Sequence, residues 1–158
     1  MGMSSFIVFK QGESKSANSL LSTIKNICIK ENLFFDSDDE KYDNEGVLKY
    51  TRIYISDKPF KEDYSRTISF SLYDEPYDFQ IVTFDWDNMK NEYFKAIVSD
   101  DFDENEDLLF QFLFAFLNEN SDAKVWIEED WFYTLDDLER IKDSYNSSWC
   151  YTDPNSEN

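Results

Sequence analysis

The chain of 158 residues has no histidine, three glycines, three prolines and two cysteines. Each shortage removes a class of chemistry. Without histidine there is no Ser–His or Cys–His nucleophile pair, no imidazole acid–base catalyst and no histidine-ligated metal. Gly2, Gly12 and Gly46 stand apart, outside any strand-to-helix motif, so the sequence carries no glycine-rich phosphate loop. Two isolated cysteines, Cys28 on the apolar face of a predicted helix and Cys150 near the C-terminus, make neither a four-thiolate zinc site nor a disulfide framework. Both are expected to be free thiols in a reducing compartment. No segment approaches the ~18 apolar residues of a membrane span. The N-terminus also lacks the basic stretch and apolar core of a secretory signal. The expectation is a cytoplasmic, non-catalytic chain without cofactor or metal. Paired carboxylates serve glycosidases, but an acidic chain offers so many pairs that none is informative.

Positive charge is scarce as well. Fifteen Lys and Arg face thirty-four Asp and Glu, a net charge of −19. A small soluble domain is well served by a magnitude of roughly 2–8. A field this negative repels nucleic acid and anionic membranes, and it accelerates encounter with basic surfaces. A basic protein is therefore the expected partner, with no direct nucleic-acid or membrane contact. General solubility is the plain alternative. Aromatics make up 18% of the chain, which argues against the disorder that high charge otherwise brings.

Local patterns predict an α+β fold in one compact domain over 1–158, with an irregular tail over 146–158. Phe6–Phe9 reads as a strand. Ser16 caps a helix that carries Leu20, Leu21, Ile24, Ile27 and Cys28 at helical spacing and ends near Asn32. Residues 36–46, DSDDEKYDNEG, read as an acidic loop. YTRIYIS (50–56) and TISFSLY (67–73) alternate as half-buried strands, joined by a turn over 57–66, and FQIVTFDW (79–86) reads as a more buried strand. A second helix is expected from Asp103 to Asn118, a strand over KVWIEE, and a last helix capped by Thr134 with Leu135, Leu138 and Ile141. This predicts an antiparallel sheet of about four to five strands with two to three helices packed on it.

Three acidic clusters carry the functional signal. One contains Asp36, Asp38, Asp39, Glu40 and Asp43. Another, Asp100, Asp101, Asp103, Glu104, Glu106 and Asp107, runs directly into the uncharged stretch LLFQFLFAF. There Asp101, Asp103 and Asn105 match the first ligands of an EF-hand loop. Glu106 stands where that loop needs glycine, however, and Phe112 where it needs a bidentate glutamate, so the calcium reading fails. The last cluster, Glu128, Glu129 and Asp130, lies between Trp126 and Trp131 in WIEEDWFY. Carboxylates beside aromatic rings match Arg and Lys through ion pairs and cation–π contacts. For each cluster alone, a solvated loop or helix start is the simpler reading. The residues expected to meet a partner are Glu128, Glu129, Asp130, Trp131 and Tyr133, then Asp100, Asp101, Asp103 and Glu104, then Asp38 and Asp39. Trp126 is read as core.

In size, acidity, aromatic content and missing catalytic residues, the chain resembles the immunity proteins of bacterial polymorphic-toxin and contact-dependent inhibition systems. That resemblance implies a compact α+β domain that binds a cognate toxin, often a nuclease, and blocks its active site. Two other readings fit the charge. One is a DNA mimic that occupies the binding groove of a DNA-binding enzyme, and the other is an acidic accessory or scaffold subunit.

Overall fold

A computed structural model describes residues 2–60 and 65–155. The expected turn over 57–66 contains residues 61–64, and the expected tail contains 156–158; both stretches lie outside the described residues. The strands are β1 (Phe6–Lys10), β2 (Phe34–Tyr42), β3 (Leu48–Ser56), β4 (Thr67–Tyr73), β5 (Ile81–Val82), β6 (Tyr93–Ser99), β7 (Lys124–Trp126) and β8 (Phe132–Tyr133). The helices are α1 (Ala17–Lys30), α2 (Glu106–Glu119) and α3 (Leu135–Asp143). All strands join one antiparallel eight-stranded sheet in the order β2-β3-β4-β6-β1-β7-β8, with β5 paired to β6 off this path.

The fold is α+β, but the sheet has eight strands where the sequence pattern predicts four to five. Three readings account for the difference. The acidic stretch 36–46 is not a loop: residues 36–42 belong to β2, a nine-residue edge strand paired with β3. Its negative side chains guard an edge that would otherwise recruit foreign strands. FQIVTFDW is not a buried strand, because only Ile81 and Val82 pair, and the chain beyond them turns back through Phe84 and Trp86. The strand that fills that central place is β6, which the pattern leaves unassigned. Its residues Ala96 and Ile97 are both fully buried, and β1 shifts register against it between Ile7 and Val8. Simple alternation is therefore lost where the sheet is covered on both faces.

The three helices pack on one face. Ser16 accepts from the Ser19 N–H at the start of α1, and Asp74 accepts from the Ala17 N–H at 2.7 Å. Leu20, Ile24, Ile27 and Cys28 of α1 then meet Ile53, Ile55, Phe70 and Leu72 of the sheet. Helix α2 buries seven apolar residues, including Leu109, Phe112 and Phe116, each worth roughly 1.5–3 kcal/mol relative to exposure. It begins at Glu106, not Asp103, so most of the second acidic cluster lies in the preceding turn. At α3, Thr134 and Asp137 satisfy each other's backbone N–H groups. Within the run expected to be a tail, Trp149 and Cys150 pack into this same core on a short 3₁₀ turn.

The opposite face divides in two. Over β1, β6, β7 and β8, Val8, Phe84 and Tyr93 form a second apolar cluster, with Phe6, Trp86, Trp126 and Phe132 packed around it. Over β2, β3 and β4 the side chains are polar or tyrosine apart from Phe34 at the edge; Tyr50, Arg52, Tyr54, Ser69 and Tyr73 remain partly exposed, while Ser56 and Ser71 are buried among them.

Candidate functional site

Strand alternation dictates what the uncovered half-face presents. Thr51, Ile53 and Ile55 of β3 and Ile68, Phe70 and Leu72 of β4 point into the core, so Tyr50, Arg52, Tyr54, Ser69, Ser71 and Tyr73 point out. Register aligns them in cross-strand rows: Lys41–Tyr50–Tyr73, then Asp38–Arg52–Ser71, then Asp36–Tyr54–Ser69. Tyr50 and Tyr73 meet edge to face at 5.2 Å, as do Tyr73 and Tyr77 at 5.0 Å, and Lys41 lies over the Tyr50 ring at 5.1 Å. The hydroxyls of Tyr50 and Ser71 are 3.2 Å apart, and Arg52 donates to Ser71 at 3.3 Å. Burial, with Tyr50 next to it, pushes the Tyr73 phenol above its ordinary range.

This face joins acidic residues that are far apart in sequence. Tyr54 donates its hydroxyl to Asp38 at 3.1 Å, and Arg52 reaches across β4 to an ion pair with Asp100. The Asp100 N–H binds Ser69 O, the neighbouring Asp101 lies against Gly2, and Ser4 N–H donates to Glu128 at 2.8 Å. Asp38, Asp100, Asp101 and Glu128 thus form one tract along the end of the sheet. Asp39 continues it on β2, Asp103 and Glu104 in the turn before α2, and Glu129 and Asp130 at the tip of the β7–β8 hairpin. All nine are exposed. Fifteen basic residues cannot neutralise thirty-four acidic ones, so much of this charge faces solvent unpaired.

Backbone conformation marks the same residues. Among the described residues five non-glycine residues adopt positive φ, and three of them are Asp39 (56°), Glu104 (69°) and Glu128 (54°), one in each acidic cluster. Glycine, asparagine and aspartate suit such positions, so Asp39 is readily accommodated, whereas a glutamate there costs about 1 kcal/mol. At Glu104 and Glu128 the chain therefore carries a carboxylate at some expense in stability.

Other acidic residues have internal duties. Arg66 forks onto both Asp107 oxygens at 2.7 and 3.0 Å and also binds Asp57 at 3.1 Å. The guanidinium holds the Asp107 carboxyl below its usual range, and the same contacts push Arg66 up. Asp43 is held low by the N–H groups of Val47 and Glu45 in the β2–β3 turn. Glu106 accepts from the Tyr151 hydroxyl at 3.4 Å, and its carbonyl accepts from Trp149.

The aromatic part of WIEEDWFY is arranged differently from its acidic part. Tyr133, expected at the interface, is fully buried, and its hydroxyl donates to the carbonyls of Trp149 and Thr152 at 3.1 and 2.9 Å. Burial raises its phenol pKa far above the ordinary value. It holds the C-terminal segment in place and offers a partner nothing. Trp126 packs tilted against Phe6 and edge to face against Phe84, each at 4.7 Å, and donates Nε1–H to Glu129 O, which shapes the hairpin tip. Trp131 is partly buried against the main core, and its Nε1 has no hydrogen-bond partner among the described residues. It borders an open groove of about 500 Å³ in which Asp130, Asp136, Asp137 and Asp153 outnumber Lys124 and Arg140. The tyrosines and Arg52 were missed in the sequence because an outward tyrosine in an alternating strand reads as an ordinary wet-face residue.

Among the described residues no three carboxylates or thiols converge as metal ligands, and no helix is long and apolar enough to cross a membrane. Both cysteines are free and buried, and burial pushes each thiol up to about 11. No family model, no curated protein and no solved structure matches this chain.

Proposed function

We propose that this chain is a cytoplasmic, non-catalytic acidic binding protein of the immunity type, which captures a basic toxin domain and covers its active site. One observation carries the reading. The three acidic clusters, separated by some sixty and twenty-five residues of sequence, fall along one end of the sheet, beside a half-face that no helix covers among the described residues. A nuclease must attract phosphate and so presents a positive site. An inhibitor with a matching negative border gains rapid, salt-sensitive association. The positive-φ glutamates support the same reading, since strain is retained where it serves a use.

The test is co-purification of the chain from its native cells, followed by charge reversal. A single basic partner should be recovered in stoichiometric amount, and its enzymatic activity should be inhibited in the complex. Replacing Glu128, Glu129 and Asp130 together by lysine should slow association about tenfold or more at low salt, and the difference should shrink as salt is raised. Unchanged association rates after reversal of each of the three clusters would remove electrostatic capture. Competition with DNA for several unrelated proteins would favour the DNA mimic, and a stoichiometric partner of undiminished activity would favour the scaffold.

A further inference from the structure

The open face contains more than a negative border, and its centre is chemically selective. Tyr50, Tyr73 and Tyr77 form an edge-to-face ladder; Tyr73 and Tyr77 also pack against the main core, yet all three rings remain partly exposed to a flat cation. The Tyr50 ring already lies under the Lys41 ammonium at 5.1 Å, so a cation is at home there. One row along the strands, about 7 Å away, come Asp38 and Arg52, the latter holding the Asp100 carboxylate. Stacking surface and carboxylates therefore lie within the length of one long side chain. A guanidinium meets both demands, since it is flat enough to stack and forked enough to bind a carboxylate through two N–H groups. An ammonium is a compact, strongly hydrated charge that meets only the second.

Resting on the binding role proposed above, we infer that the Tyr50–Tyr73–Tyr77 ladder with Asp38 is the docking site for an arginine-bearing segment of the protein partner. The partner's arginine displaces Lys41 from the ring and pairs with Asp38, while the acidic border supplies attraction at longer range. A second copy of this chain is not the occupant, because two faces of an acidic chain with a net charge of −19 repel each other.

The probes are octa-arginine and octa-lysine peptides of equal charge, titrated into the whole protein and followed residue by residue by NMR. Octa-arginine should bind at least about threefold more tightly and shift the Tyr50, Tyr73 and Tyr77 ring signals. Tyr50→Ser should weaken it about tenfold, while Tyr50→Phe, which keeps the ring, should retain binding. Wild-type ring shifts need no variant and so stand even if Tyr50→Ser is poorly folded. Equal affinities for the two peptides, or shifts confined to 100–104 and 128–130, would overturn the docking site and leave the binding role intact. Absence of binding by either peptide, together with no basic partner in native cells, would overturn both.

Discussion

The two halves of the sheet's second face are built from similar material to opposite ends. Over β1, β6, β7 and β8 the aromatics are Phe and Trp with a single Tyr, Tyr93, and the chain from Phe84 to Trp86 folds back to cover them. Phe84 meets Trp86, Tyr93, Trp126 and Phe132 with ring centres 4.7 to 5.9 Å away. Over β3 and β4 the aromatics are Tyr, interleaved with Arg52, Ser69 and Ser71, and among the described residues no comparable segment folds over them. Hydroxyls and charges make the difference: they keep the second half stable in water while still offering large, rigid contact surfaces. One half therefore holds the fold together and the other is free to bind.

Mutation should separate the halves cleanly. Phe84→Ala removes the ring on which four other rings converge, and should cost about 3–5 kcal/mol in chemical denaturation. Tyr50→Ser on the open half should cost less than about 1 kcal/mol. Comparable losses at the two positions would mean that the open half is structural. Next in size is Arg66→Ala, expected to cost about 0.5–1 kcal/mol at neutral pH once solvent screening of this partly exposed pair is allowed for. The pH dependence follows from Asp107, whose pKa lies below the ordinary 3.8 in the folded state. Its contribution is complete above the unfolded value and is lost as pH falls through the lowered folded one. Wild type and Arg66→Ala should therefore converge in stability in acid and differ at neutral pH. A gap that persists in acid would assign the loss to packing.

The smallest expected effect has the opposite sign. Glu104→Gly relieves a φ of 69° at an exposed position and should leave the protein between unchanged and about 1 kcal/mol more stable. It should nevertheless slow capture of a basic partner. Gain of stability with loss of association is the pattern of a residue kept for binding. Destabilisation would mean that Glu104 serves the fold.

Elements whose burial follows a local period were legible in the sequence. The Ser16 cap and the apolar positions of α1, the alternation of β3 and β4, and the Thr134 cap of α3 are all found where pattern places them. The elements that escaped depend on distant partners. Strand β2 is acidic because it is an edge, and acid reads as loop. Strand β6 is covered on both faces and follows no alternation. Residues 79–86 have the composition of a buried strand because they line an aromatic cluster, yet only two of them pair. The site divides in the same way. Its carboxylates were visible as clusters, but their assembly into one tract depends on the Arg52–Asp100 pair and the Ser4–Glu128 bond, both long-range. Tyr133 looked like a surface anchor because its acidic neighbours are exposed, while the hydroxyl that buries it pairs with carbonyls sixteen and nineteen residues away.

On this reading the uncovered half-face and the acidic tract beside it, and not the helical side, meet the partner. Hydrogen–deuterium exchange on the stoichiometric complex from native cells tests it most directly. The account predicts new protection in β3 and β4 and over 100–104 and 128–130, with α1 and α3 unchanged. Protection confined to α1 and α3, with the sheet face exchanging as in the free protein, would contradict it.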